Sequence, residues 1–118
     1  VGMANIVYKI CSRDVWEQAV VTGYLSGTED DLRDGFIHFS APHQIRATAR
    51  KHFFNQENLV LLEINAPLLG DNLKWERSHN GELFPHLYDI VDVSLVSHIC
   101  ELPLTRIGEH IFPAEVPI

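Results

Sequence analysis

Leu59-Val60-Leu61-Leu62-Glu63-Ile64 constrains this chain more than any other stretch. It is almost wholly apolar until Glu63, is too short for an ordinary buried helix, and reads as a strand near the centre of a sheet. Other strands must then flank it. Ile6 to Ile10 supplies one, Leu73 to Glu76 a shorter one and Val96 to Leu102 a last one. Pro67 and Gly70-Asp71-Asn72 mark a loop, and Asn80-Gly81 is a strong turn signal between short segments.

Helical signals concentrate earlier in the chain. Ser12 is placed to cap a helix whose apolar side is Val15, Trp16, Ala19 and Val20, with Gly23 to end it. Gly23 to Gly27 then reads as a turn. Thr28 and Asp31 have the spacing of a capped turn that closes at Gly35. Phe36 to Phe39 predicts a short strand with Phe36 and His38 on one face and Ile37 and Phe39 on the other. Ser40 next resembles an N-cap, and Ile45, Ala49, His52 and Phe53 predict a helix running to about Phe54. Helices early and strands late favour an α+β domain over regular α/β alternation. The 118 residues fit one domain, with loose ends expected at 1–5 and 113–118.

Composition narrows the function classes. Hydrophobic residues at 46% exclude extended disorder, and a chain this long buries roughly two thirds of its unfolded surface without a staple. Nine basic residues against sixteen acidic give a net charge of -7, which disfavours nonspecific binding to nucleic acid and makes a small ligand the simpler expectation. No apolar run is long enough to span a membrane. No charged and apolar leader opens the sequence, so the expected location is cytoplasmic. Cys11 and Cys100 lack metal or redox spacing and are expected to be free structural thiols. Seven histidines invite a metal, but there is no HExxH or compact two-histidine carboxylate motif, and no metal ligand is assigned.

Two stretches carry the chemistry: Gly35-Phe36-Ile37-His38-Phe39-Ser40 and Phe84-Pro85-His86-Leu87-Tyr88, each setting a histidine among apolar residues. His38 suits a hydrogen bond to a ribose hydroxyl or phosphate, or a role locking the sheet. His86 suits anion binding or proton exchange near neutral pH, or a loop-fixing bond to backbone. Trp75 is a candidate stacking platform or a core aromatic. Glu76 is a candidate acceptor for ribose hydroxyls, a stabiliser of positive charge during glycosidic cleavage, or an ion-pair partner. Tyr8 is the better cleft candidate of its strand, with Lys9 on a solvated opposite face. Tyr88 and Gln44 are further ligand candidates, Ser40 is a cap or phosphate neighbour, and Arg46 with Arg50 forms a one-face basic pair.

The ordered set Tyr8-Lys9-Ile10, Trp16, Gly35 to Ser40, Gln44, Leu59 to Leu62, Lys74-Trp75-Glu76 and Phe84 to Tyr88 resembles the uncharacterised DUF952 family over most of the chain. That family is similar in fold to ADP-ribosyltransferases, which implies a curved, split antiparallel sheet around a nicotinamide-dinucleotide cleft. His38-Phe39-Ser40 also resembles a histidine-bearing strand of RNA 2'-phosphotransferases, which use NAD. Tyr8 and Lys9 stand where those relatives carry His or Arg. The resemblance implies NAD as the candidate cofactor, with Glu76, His38 and His86 as catalytic candidates. Tyr8, His38, Ser40, Gln44, Trp75, His86 and Tyr88 are the binding candidates. Three functions follow as expectations: ADP-ribosyl transfer or another NAD-processing reaction, a non-catalytic NAD or ADP-ribose binding module, or a structural protein-interaction domain. No motif identifies a protein partner.

Overall fold

In a computed structural model that describes residues 5–78 and 80–117, the apolar run at 59–64 is the middle of a three-stranded antiparallel sheet. Strand β1 (Ile6–Ser12) leads into α1 (Arg13–Thr22), β2 (Tyr24–Leu25), α2 (Glu29–Asp34), β3 (Ile37–His38) and α3 (Ile45–His52). Strand β4 (Leu59–Asn65) is followed by a 3-10 segment (Ala66–Asn72), β5 (Leu73–Arg77), β6 (Leu83–Leu87), β7 (Val91–Asp92) and β8 (Val96–Glu101). The sheets are ordered β1-β4-β8, β2-β7 and β3-β6-β5, all pairings antiparallel. Among the described residues no helix is long and apolar enough to cross a membrane.

β4 is buried on both faces because its alternate residues feed two cores. Val60, Leu62 and Ile64 pack with Val7, Ala19, Ile37 and Leu87, while Leu59 and Leu61 pack with Tyr8, Ile10, Ile45 and Ala49. Cys11 and Cys100 are both free. They oppose the neighbouring residues Val60 and Leu61, so they lie on opposite faces of the sheet.

The helix ends follow their sequence signals where a local hydrogen bond serves the cap. Ser12 Oγ accepts from Val15 N, and Gly23 closes α1 in the left-handed region. Thr28 and Asp31 form the reciprocal capping box of α2. Ser40 does not cap a helix. Its backbone exchanges hydrogen bonds with Tyr8 at 2.8 and 2.9 Å, its hydroxyl meets Thr48 Oγ1 at 2.9 Å, and α3 starts only at Ile45 after a turn. This Tyr8–Ser40 bridge joins the β1-β4-β8 sheet to the segment that follows β3.

Pro85 sits in β6, the middle strand of its sheet, where a missing N–H costs a ladder bond. Its carbonyl accepts from Phe39 N at 3.0 Å. The vacancy therefore faces the two-residue β3, leaving the longer β5 ladder intact. The expected loose end at 113–118 is instead anchored through residue 117: Val116 is buried, and Arg46 donates to the carbonyls of Pro113, Val116 and Pro117. These bonds use Arg46 Nε and Nη2, while Arg46 and Arg50 still line one small cavity with Glu109, His110 and Phe112. Residues 1–4 and 118 lie outside the described chain; Asn5 is held by its carbonyl to Ala66 N.

Candidate functional site

β3 and β6 pair so that His38 lies directly opposite His86, and β5 pairs on the other side of β6 with Lys74 opposite His86 and Glu76 opposite Phe84. Opposed residues share a face. One face therefore carries Phe36, His38, Phe84, His86, Lys74 and Glu76, while Ile37, Trp75, Pro85 and Leu87 turn toward the core. Phe36 stacks on His86 with centroids 4.1 Å apart, lies 4.5 Å from His38 and 5.3 Å from Tyr88; the two imidazoles are 5.5 Å apart.

Each histidine is oriented by a carboxylate at Nδ1. His86 Nδ1 lies 2.8 Å from Glu76 Oε1, the same oxygen that accepts the Tyr88 hydroxyl at 2.7 Å. A carboxylate oxygen only accepts, so Nδ1 carries the proton and Nε2 is left pointing away, with no hydrogen bond from the described residues. The Tyr88 and His86 hydrogen bonds hold the Glu76 carboxyl below its usual range, and the same bond pushes the Tyr88 hydroxyl up. Glu76 is thus an orienting group for His86, with Oε2 still open to a ligand.

His38 is fixed from below by Asp31. Asp31 Oδ1 lies 2.6 Å from His38 Nδ1 and accepts the His38 amide at 3.1 Å. The same carboxylate meets Lys9 Nζ at 2.8 and 3.0 Å and accepts Thr28 N at 2.9 Å. Lys9 and Asp31 side chains are 5% and 1% exposed, a buried ion pair beneath a half-open histidine. Burial alone would raise the Asp31 carboxyl, but the His38 hydrogen bond and the Lys9 ammonium reverse this and hold it well below the usual carboxylate range. On its outer side His38 Nε2 faces Asp34 Oδ2 at 3.0 Å.

Four of the expected site residues therefore come together: His38, His86, Glu76 and Tyr88. Four others do not. Tyr8 is on the opposite face of β1, buried in the α3 core with its hydroxyl on Glu63, and burial with that carboxylate pushes it up to about 12. Lys9, expected on a solvated face, is the β1 residue that reaches the site. Trp75 turns into the core beside Pro85. Ser40 is spent on Tyr8 and Thr48.

Gln44 is a buried staple: Oε1 accepts from Ala41 N at 2.9 Å, and Nε2 donates to Leu83 O at 2.6 Å and Glu82 Oε2 at 2.9 Å. Gln44→Ala is expected to cost about 2–3 kcal/mol, because a buried amide and a carbonyl lose their partners. Urea unfolding checks it; a loss under about 0.5 kcal/mol would show that water replaces the amide.

Sequence reasoning missed Asp31 as a site residue, together with Lys9, Phe36 and Asp34. Lys9 in an otherwise apolar strand was the available signal, since a buried ammonium requires a buried acid. Among the described residues no group of three or more His, Cys, Asp or Glu is arranged to hold a metal ion.

The crystal structure of protein CC0527 from Caulobacter crescentus matches with a TM-score of 0.87 at 46% identity, covering 90% of this chain and 93% of that one. The solution NMR structure of the same protein matches at 0.81 and 47% identity, covering 89% and 90%. Both were structural-genomics targets. No curated protein matches the sequence. Residues 10–99 match the model of the family described as protein of unknown function DUF952, and with relatives this similar along nearly its whole length, the chain belongs to that family.

Proposed function

We propose that the chain binds a nucleotide of the NAD or ADP-ribose type across the Phe36–His38–His86 face, and that His86 exchanges a proton with it. The carrying observation is the orientation of His86: Glu76 fixes Nδ1 at 2.8 Å and Phe36 stacks on the ring, which leaves Nε2 without a hydrogen-bond partner among the described residues on a side chain that is 13% exposed. A carboxylate-oriented imidazole is the usual form of a general acid or base. Phe36 and Tyr88 offer ring surface for a base, and Glu76 Oε2 suits a ribose hydroxyl or the positive charge of glycosidic cleavage. An ADP-ribosyltransferase-like arrangement is supported by two three-stranded antiparallel sheets with the backbone bridge Tyr8–Ser40 running from β1 to the segment just beyond β3.

A binding module is the second reading, favoured by the openness of the face. Glu76 is 41% exposed in its side chain and Tyr88 43%, whereas glycosidic chemistry gains from excluding water.

Isotope-edited NMR titration with NAD and ADP-ribose, run beside a time course for released nicotinamide, tests both. Saturable shifts at Phe36, His38 and His86 are expected, and His86→Ala should weaken binding about tenfold with little change in unfolding midpoint. Nicotinamide release that disappears in Glu76→Gln selects the enzyme; tight ADP-ribose binding without release selects the module. No shifts at millimolar ligand would reject the nucleotide reading.

A further inference from the structure

Asp34 occupies an unusual place. It is the last residue of α2, where a negative charge opposes the helix carbonyls, yet its carboxylate is held from two sides. Oδ2 lies 3.0 Å from His38 Nε2, and Oδ1 accepts from Arg33 Nε at 3.1 Å. Each partner has a second contact: Asp31 fixes His38 through Nδ1, and the exposed Asp30 meets Arg33 Nη1 at 3.1 Å. Asp34 itself has no further anchor among the described residues and is about one third exposed.

We propose that the Asp34 carboxylate stands in for a phosphoryl group of the ligand, which takes the His38 Nε2 and Arg33 Nε positions when Asp34 swings out. Two donors that grip the two oxygens of one carboxylate also suit two oxygens of a phosphoryl group. Cationic His38 would then donate to the ligand from Nε2 while Nδ1 stays on Asp31. The buried Lys9–Asp31 pair below keeps the imidazole from following Asp34 outward. Asp34 acts as a selectivity device as well. A neutral ligand gains nothing by displacing it, whereas a phosphorylated one replaces like with like.

This subsite rests on the nucleotide reading of the adjoining face, and the test separates the two. Inorganic pyrophosphate, adenosine and ADP-ribose are titrated into the parent protein, Asp34→Ala and Glu29→Gln at fixed ionic strength, with the His38 and His86 imidazole signals followed by NMR. Glu29→Gln removes a charge from the same helix at an exposed position that bonds neither His38 nor Arg33, so it controls for net charge. Asp34→Ala should tighten pyrophosphate about three- to tenfold, with the shifts centred on His38, and Glu29→Gln should do so much less. Adding Arg33→Gln to Asp34→Ala should remove most of the gain. Equal affinities in all variants, equal gains in Asp34→Ala and Glu29→Gln, or binding that leaves His38 unmoved would each overturn the subsite. Pyrophosphate binding at His38 with no gain from the adenosine portion would uphold the subsite and reject the nucleotide reading. ADP-ribose shifts at Phe36 and His86 that are indifferent to Asp34 would do the reverse.

Discussion

Asp31→Ala should lower the unfolding free energy by about 3–5 kcal/mol, seen as a large drop in the urea midpoint with little change in slope. The substitution leaves the Lys9 ammonium buried without its acid, removes half of a capping box and frees both the amide and ring nitrogen of His38. Most of the cost lies in the stranded charge. Lys9→Met combined with Asp31→Asn should therefore recover a substantial part of it. A loss below about 1 kcal/mol in Asp31→Ala would show that water reaches the pair.

The same carboxyl governs acid behaviour. Its folded-state value is depressed below the unfolded value of about 3.9, so its stabilisation is complete above that value and drains as pH falls toward the folded one. Asp31→Asn should flatten this part of the stability profile below about pH 4.

Gly27→Ala should cost about 2–4 kcal/mol and displace the His38 resonances, although Gly27 touches neither histidine. Its φ is +115°, and an added Cβ would lie 2.7 Å from Asp31 Cβ and 3.0 Å from Oδ2. The loop before α2 has closed onto the carboxylate to the limit that glycine allows. Gly81 provides the comparison: its φ is +85° with nothing within 4 Å of the added Cβ, so Gly81→Ala carries backbone strain of about 1 kcal/mol without a clash. Equal losses at the two positions would mean that the Asp31 contact yields easily. Denaturant unfolding and a histidine-edited spectrum decide the matter.

What could be read in advance was what depends on neighbours in sequence. The apolar run at Leu59 to Ile64, the Ser12 and Thr28 caps and the left-handed glycines at Gly23 and Gly35 each announce themselves within a few residues. Strand alternation places Phe36 with His38 on one face, as the structure has it, whereas nothing local to either stretch sets His86 opposite His38. Failures came where a residue's role depends on a distant partner. Ser40 looks like a cap until Tyr8 claims its backbone, and Gln44 looks like a ligand contact until Leu83 and Glu82 arrive across the fold. On β1 the two neighbours exchanged roles. Tyr8 met an apolar core on its side of the sheet, while Lys9 met an acid from α2. Alternation separates such a pair but does not say which face holds the counterion.

α2 has only six residues, far short of what a helix needs to persist unaided in water. His38 hangs its amide hydrogen and one ring nitrogen on that helix's Asp31, so the histidine keeps its orientation only while α2 stays wound. Asp31 is also what ties α2 to Lys9 of β1, so unwinding the helix would leave a buried ammonium without its acid. Warming should therefore release the histidine and loosen the sheet together, and a melting temperature taken from the sheets reports the orientation of His38 as well.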